Sequence, residues 1–371
     1  MATCQTGSCA RYCMVCMTNL YTSPFYQTYL DVVPGPCDLI YWNRDGAQEK
    51  EIQAFSRVYA YHVPIQVGKQ TLRTALHYFA FARFVRRILH ESRYDRVIFL
   101  HQQLPPLLGR RFRNMYEGRY VYDVRDYFFN GLPLYRAMER DIVRKAGLNV
   151  VSSAGYTCFL PAGKYHVLHN LRKLPDETIQ QARTRQRAHT EPPYTLANVG
   201  NIRANKRNKR LLKLFGRDER FRLAFLGSGA LALLPLIQAG GYANILLEDR
   251  FPLSETQEKF SKANLVYNLF GHGKPMLDYA MSNKLYYAAQ LGRPILVSPH
   301  TYIAQQTEAY GIGLALSLSD PRTPQKAFEY YQQMQWDTFF ASCDRFLSDV
   351  QRENEETLAH LRAFLALGER T

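Results

Sequence analysis

The chain alternates short apolar runs with longer amphipathic stretches. In the first half the runs fall at residues 13–20, 39–42, 96–100, 120–124, 148–151 and 165–168. Their lengths suit buried strands, and most close on polar residues: Thr18-Asn19, His101, Arg125-Asp126, Ser152-Ser153 and His169-Asn170. Between them, residues 72–89 place Leu72, Leu76, Phe79, Val85, Ile88 and Leu89 along one side of a helix, with Arg73, Arg83, Arg86 and Arg87 interleaved. Residues 134–145 predict another helix. Strands that alternate with helices imply parallel βαβ units.

The pattern breaks at residues 171–193, which are charged, rich in Gln and Arg, and close on Glu191-Pro192-Pro193. It then restarts. Residues 194–199, 222–226, 244–247 and 264–267 predict strands. Residues 203–214 form a basic loop and helix, and Ser254-x-x-Gln257 reads as a capping box. Residues 282–289 read as a short helix with a polar cap, followed by a turn at Gly292 and a buried strand over 295–298. Residues 324–371 are mostly helical. The expected organisation is an ill-ordered start over 1–10, a first domain over 11–172, a linker over 173–193, a second domain over 194–335, and C-terminal helices over 336–371. The predicted fold class is α/β: two Rossmann-like domains facing across a cleft, with a C-terminal helix crossing back to pack on the first domain.

Composition narrows the picture. No apolar run is long enough to span a bilayer, and residues 1–16 lack the apolar core of a signal peptide. The chain has 7 cysteines at irregular spacings, which suit a reducing cytoplasm better than a disulfide framework. Cys4, Cys9, Cys13 and Cys16 contain one Cys-x-x-Cys, but Cys13 and Cys16 fall in a strand, where residues three apart face opposite sides. No His-x-x-x-His or Asp-x-Asp pattern occurs, so neither metal nor cofactor is expected. The net charge of +15 is uneven: residues 1–190 hold 26 Lys and Arg against 14 Asp and Glu, and residues 191–371 hold 21 against 18. The first half therefore faces an anionic partner such as membrane lipid, a phosphorylated lipid carrier or nucleic acid. Scattered aromatic residues, with no stacking stripe on a basic face, speak against nucleic acid.

Ligands of doubly wound sheets bind beyond the carboxyl ends of the strands. That rule selects Asn19, His101, Asp123, Arg125, Asp126 and Ser153 in the first domain. In the second it selects Gly200, Arg203, Lys206, Gly227, Asn268, Ser282, Asn283 and Lys284. Gly200 permits close backbone approach, and Arg203 and Lys206 just beyond it can hold a diphosphate or form a solvated basic loop. Gly227-Ser228-Gly229 is either a phosphate cradle or a plain turn. Asp123, Arg125 and Asp126 can orient or deprotonate a hydroxyl, or form a structural pair. The start of the 282–289 helix offers free N–H groups and a positive dipole end to an anion.

Taken together, Tyr122-Asp123-Val124-Arg125-Asp126, residues 145–153 and residues 165–170 resemble the N-terminal domain of bacterial glycosyltransferases of family 4 type. Val199-Gly200-x-Ile202-Arg203-x-x-Lys206 and Ser282-Asn283-Lys284-Leu285-Tyr286, with Gly292-Arg293-Pro294, resemble their nucleotide-sugar domain. Members acting in capsular and exopolysaccharide synthesis are the most similar. The resemblance implies a GT-B fold and metal-independent transfer from a nucleotide-sugar donor, usually with retention, to a lipid-linked or growing saccharide. It implies a cytoplasmic protein, peripheral on the inner face of the plasma membrane. By matching positions, Arg203 and Lys206 stabilise the leaving diphosphate. Ser282, Asn283 and Lys284, with Gly200, Gly227 and Asn268, bind the donor. Arg125 or Asp126 is the cleft residue, and Asn19, His101, Asp123 and Ser153 lie on the acceptor side. One departure stands out: Tyr287 occupies the place where the family often has a ribose-gripping Glu.

Overall fold

The computed structural model describes residues 10–65, 72–127, 133–202, 206–269 and 273–366. The chain divides into two compact units, Met1–His169 with Glu353–Thr371, and Asn170–Arg352. The first is built on a seven-stranded sheet: β1 (Tyr12–Cys16), β2 (Cys37–Asn43), β3 (Val58–His62), β4 (Arg96–Phe99), β5 (Tyr120–Val124), β6 (Leu148–Val151) and β7 (Tyr165–Val167). Their order is β3-β2-β1-β4-β5-β6-β7, and every pairing is parallel. The second unit holds β8 (Tyr194–Val199), β9 (Phe221–Leu226), β10 (Ile245–Glu248), β11 (Leu265–Asn268), β12 (Ile295–Val297) and β13 (Gly313–Ala315). Their order is β10-β9-β8-β11-β12-β13, again wholly parallel. In each sheet the order reverses beside the first strand, giving a switch point between β1 and β4 and another between β8 and β11.

The central strands are buried on both faces, as parallel sheets under helices require. β1, β2 and β5 are buried throughout. Sequence reasoning misses two strands. It passes over the Val58-Tyr59-Ala60-Tyr61 run of the edge strand β3, which is half-buried with exposed ends, and β13 is only three residues long. The apolar run at 13–20 is only partly strand: β1 stops at Cys16 and a 3-10 turn follows at Leu20–Thr22.

Two further expectations need correction. The Leu72–Ser92 helix buries Phe81, Ala82, Val85, Ile88 and Leu89, whereas Leu76 and Phe79 are 61% and 60% exposed. Phe79 precedes Phe81 by two residues, roughly 200° of helical turn, which carries it to the solvent side. The capping box also does not form. A 3-10 turn at Leu253–Glu255 leads into a helix at Thr256–Ser261, and no side chain caps it.

The Asp176–Ala188 helix lies within the second unit, with Ala182 and Gln186 buried. Arg293, 2% exposed, holds it in place. Its guanidinium donates to Gln186 Oε1 and, at 3.0 Å, to the Ser261 carbonyl. Gln186 in turn donates to the Asn264 carbonyl at 2.8 Å. Gly292 beside it has φ +66°, and a Cβ there would meet the Phe340 ring at 2.5 Å.

The last helix, Trp336–Leu365, runs for 30 residues. Phe339, Cys343, Phe346 and Val350 join the core of the second unit. Leu361 and Leu365 join that of the first, where Thr357 Oγ1 donates to the Val167 carbonyl at 2.5 Å and Tyr12 donates to the Leu365 carbonyl at 3.0 Å. One element thus supplies core residues to both units. Among the described residues, no helix is long and apolar enough to cross a membrane.

Arg293→Met should destabilise the protein by about 2–3 kcal/mol in urea unfolding, because Gln186 and the Ser261 carbonyl lose a buried charged donor. A loss below about 0.5 kcal/mol would show that the clamp contributes little.

Candidate functional site

In the second unit the polar groups gather beyond the carboxyl ends of β8, β9 and β11. Gly200 and Gly227 have φ of +120° and +134°. A Cβ on Gly227 would lie 2.0 Å from the Gly200 carbonyl oxygen, so the two loops touch backbone to backbone, which only glycine permits. Ile202 N–H donates to the Ser228 carbonyl at 2.8 Å and fixes the register of the pair. The N–H groups of the Gly227–Gly229 turn are already engaged. Gly227 donates to the Glu248 carbonyl at 2.8 Å, and Gly229 donates to Asp249 Oδ1 at 2.9 Å. This turn therefore shapes the loop and does not present those two groups to an anion. Lys206 is exposed and opens the Lys206–Phe215 helix. Arg203 lies outside the described residues, as does His272 of the basic Gly271–Lys274 loop.

The Asn283–Gln290 helix begins beyond the carboxyl end of β11. Ser282 is its N-cap, its side chain accepting from the Lys284 N–H at 3.3 Å. Asn283 is exposed, whereas Lys284 is buried. Burial pulls the Lys284 ammonium down to about 8, and an anion arriving there would hold its proton to higher pH. Asn268, at the end of β11, is 4% exposed, and its Oδ1 has no hydrogen-bond partner among the described residues. A buried amide oxygen left unsatisfied is costly, and a ligand hydroxyl or N–H would relieve it. Tyr287 does not stand in for a carboxylate. Its ring stacks on Phe260, with centroids 4.8 Å apart and planes 7° apart.

In the first unit the selected residues are mostly engaged with one another. Asp123 is fully buried, and its Oδ2 accepts from Arg125 Nε at 2.7 Å and from Tyr29 O–H at 2.8 Å. Burial pushes its carboxyl up, and Arg125 pulls the other way. Phe25 covers the Arg125 guanidinium, with its centroid 4.4 Å away. The Arg125 carbonyl accepts from Tyr156 at 3.0 Å and Ser152 at 3.3 Å. Arg125 is thereby locked, and Asp126, next along the chain, is exposed. Asn19 is a structural knot between loops. Its amide nitrogen lies 2.9 Å from Asp45 Oδ1, 2.9 Å from Glu49 Oε1 and 3.1 Å from Asn43 Oδ1, and its oxygen accepts from the Arg44 N–H at 2.9 Å. Ser153 caps a 3-10 turn by accepting from the Gly155 N–H at 3.3 Å.

His101 accepts the Met17 N–H at Nδ1, 3.3 Å away. That fixes the proton on Nε2, which faces Ser23 Oγ at 3.4 Å. Burial, then Arg44 and Arg125, hold its pKa down to about 3. Sequence reasoning overlooks Phe25 and Tyr29, which grip Arg125, and Asp45 and Glu49, which grip Asn19. They lie in loops and short turns with no periodic signal, and only the fold brings them to their partners. Among the described residues, no group of three His, Cys, Asp or Glu side chains is placed to hold a metal ion.

Two wholly parallel Rossmann-like units, joined through a shared C-terminal helix, define the GT-B fold. The chain is similar to Anabaena HepE crystallised with UDP and glucose, at 13% identity and a TM-score of 0.64 over 94% of this chain and 98% of that one. It is similar to WaaG, a glycosyltransferase involved in lipopolysaccharide biosynthesis, at 14% identity and a TM-score of 0.63 over 97% and 100%. Sucrose-phosphate synthase from Thermosynechococcus elongatus matches at 12% identity and a TM-score of 0.66 over 94% and 96%. No protein-family model and no curated protein sequence matches the chain.

The His101 geometry sets a pH dependence. A histidine whose folded pKa is depressed contributes stability that is present above about 6.5 and is lost as pH falls toward about 3, because the unfolded chain takes up the proton first. His101→Asn, which keeps one acceptor and one donor, should therefore lose less stability than wild type between pH 7 and pH 5 in urea unfolding. Identical losses would remove His101 from the acid response.

Proposed function

We propose that the protein is a glycosyltransferase that takes a sugar from a nucleotide-sugar donor. The observation that carries this is the pairing of the buried Lys284 at a capped helix start with the unsatisfied Asn268 Oδ1 at the end of β11, beside the switch point of the second unit. The likeness in fold to proteins crystallised with UDP, or with UDP and glucose, supports it.

In this reading the donor diphosphate lies at the start of the Asn283–Gln290 helix, held by Ser282, Asn283 and Lys284, and Asn268 accepts from a donor hydroxyl or base N–H. The close-packed loops at Gly200 and Gly227 let the donor approach the backbone, and Lys206 opens the helix that follows. In the transfer step the bond between the anomeric carbon and the diphosphate oxygen breaks. A new bond forms from that carbon to an acceptor hydroxyl, whose proton leaves to solvent or a base, and the nucleoside diphosphate departs. Charge builds on the leaving oxygen, and cations and helix N–H groups fixed in advance stabilise it without reorganising. We assign that task to Arg203, Lys206 and Lys284 in place of a metal ion, with retention at the anomeric carbon. Asp126, exposed beyond β5 of the first unit, is assigned to the acceptor side, with Arg125 set behind it. The acceptor is a lipid-linked or growing saccharide of a cell-surface polysaccharide, reached from the cytoplasmic side. The Phe260–Tyr287 stack implies that the ribose is gripped by a group other than residue 287.

A thermal-shift panel of sugar nucleotides tests the reading, and stabilisation by none of the common donors overturns it. Product analysis without acceptor separates transfer from epimerisation, because a transferase passes the sugar to water and releases free sugar and nucleoside diphosphate, whereas an epimerase returns a sugar nucleotide with an altered sugar. Arg203→Ala and Lys206→Ala should each lower turnover by roughly 10- to 1000-fold, and wild-type rates in both would remove them from the mechanism. Lys284→Met should weaken UDP binding by roughly 10- to 100-fold, the loss expected for a charged donor. Wild-type affinity should fall as pH rises through about 8, where the buried ammonium loses its proton. Calorimetry that shows unchanged affinity in the variant would contradict the assignment.

A further inference from the structure

The carboxyl edge of the first sheet holds a cation for which the donor reading has no use. Arg44 follows β2 and Arg125 follows β5, on the two sides of the switch point between β1 and β4. Both guanidinium groups act on the same edge, since after burial they are what holds His101 neutral. Asp123 matches the charge of Arg125 at 2.7 Å, whereas Arg44 enters no ion pair among the described residues. The carboxylates of its own loop are turned elsewhere. Asp45 accepts from Asn19 and from the Tyr21 hydroxyl, and Glu49 accepts from Asn19 and from the Tyr21 N–H. The buried Nε of Arg44 has no hydrogen-bond partner among the described residues, and a buried cationic donor left so is costly.

Arg44 is also fixed in advance. Its N–H donates to Asn19 Oδ1 at 2.9 Å, and its carbonyl accepts from the Ile65 N–H at 2.9 Å. The half-buried guanidinium lies 4.4 Å from the ring centroid of the fully buried Trp42 and 5.3 Å from that of Tyr78. Nη2 donates to the Tyr78 hydroxyl over 3.5 Å. Aromatic faces offset part of the cost of desolvating the cation and leave its planar edge, with the N–H groups, to an oxyanion. One unmatched positive charge calls for one negative charge. A carboxylate carries one and fits the guanidinium fork. A phosphate ester carries nearly two at neutral pH, and the second guanidinium of this edge is already matched by Asp123. We propose that Arg44 reads a carboxylate on the acceptor, so that the saccharide receiving the transfer contains an acidic sugar of the hexuronic acid type. This rests on the reading that the first unit binds a saccharide acceptor, and it deepens that reading.

Saturation-transfer NMR titrations of the full chain with methyl glucuronide and with methyl glucoside test it. The two ligands differ in one carboxylate. The glucuronide should bind at least roughly tenfold more tightly, the difference expected for a charge-assisted pair. Arg44→Gln should abolish that preference and keep the wild-type thermal unfolding. If this variant unfolds early, Arg44→Lys is read in its place. It keeps the charge without the planar fork and should retain only part of the preference. Equal affinity for the two glycosides in the wild type, or the full preference in the variant that is read, overturns the proposal. So does Arg44-dependent binding of glucose 6-phosphate that is tighter than that of the glucuronide, which would give the site to a phosphate. The titrations do not involve UDP. Loss of every sugar-nucleotide response with the glucuronide preference intact would sink the donor reading and leave the Arg44 site standing. An intact donor response with no preference would overturn this proposal alone.

Discussion

A parallel strand can be followed by another parallel strand only through a crossover, so every strand of such a sheet delivers its loop to the same edge. The molecule depends on that constraint twice. In each unit the strand order reverses beside the first strand, and the loops on either side of the reversal part to leave a crevice. The polar groups that a folded chain would ordinarily keep in water collect at these edges: the Asp123–Arg125 pair in one unit, and Lys284 with Asn268 in the other.

The two edges treat their polar groups differently. In the first unit they mostly engage one another, with Asp123 Oδ1 left without a hydrogen-bond partner among the described residues. Asp123 is held by Arg125 and Tyr29, Asn19 by its ring of acceptors, and His101 by Met17 and Ser23. This builds a rigid wall and leaves Asp126 as the exposed carboxylate at the end of β5. In the second unit, Asn268 Oδ1 has no partner among the described residues and Lys284 is buried at a helix start. A folded state tolerates the unsatisfied Asn268 oxygen where a ligand repays it, which is why the donor is placed there.

Much of this architecture was legible in the sequence. Among the described residues, eleven of the thirteen strands coincide with apolar runs or their ends, because strands buried on both faces must be apolar along their length. The two that escaped, β3 and β13, are a half-buried edge strand and a three-residue segment. Periodicity placed the Leu72–Ser92 helix, but it misjudged the buried face because Leu76 and Phe79 are as hydrophobic as the residues that do pack. The candidate site was legible only as positions. The strand-end rule pointed to Asp123, Arg125 and Lys284, yet a strand end does not reveal whether a charge is already paired. Phe25, Tyr29, Asp45 and Glu49, which settle that question, are distant in sequence from the residues they hold. Gly292-Arg293 drew attention as part of a motif, and it proves to be a packing clamp, because Arg293 meets Gln186 more than a hundred positions earlier.

The central claim is that the carboxyl edge of the second sheet binds a nucleoside diphosphate. Hydrogen–deuterium exchange of the full chain with and without UDP tests it most directly. The account predicts slower exchange at the start of the Asn283–Gln290 helix, around Asn268 and in the Gly200 loop, with the edge strand β3 unchanged. UDP-dependent protection absent from these segments, or confined to the first unit, would contradict it.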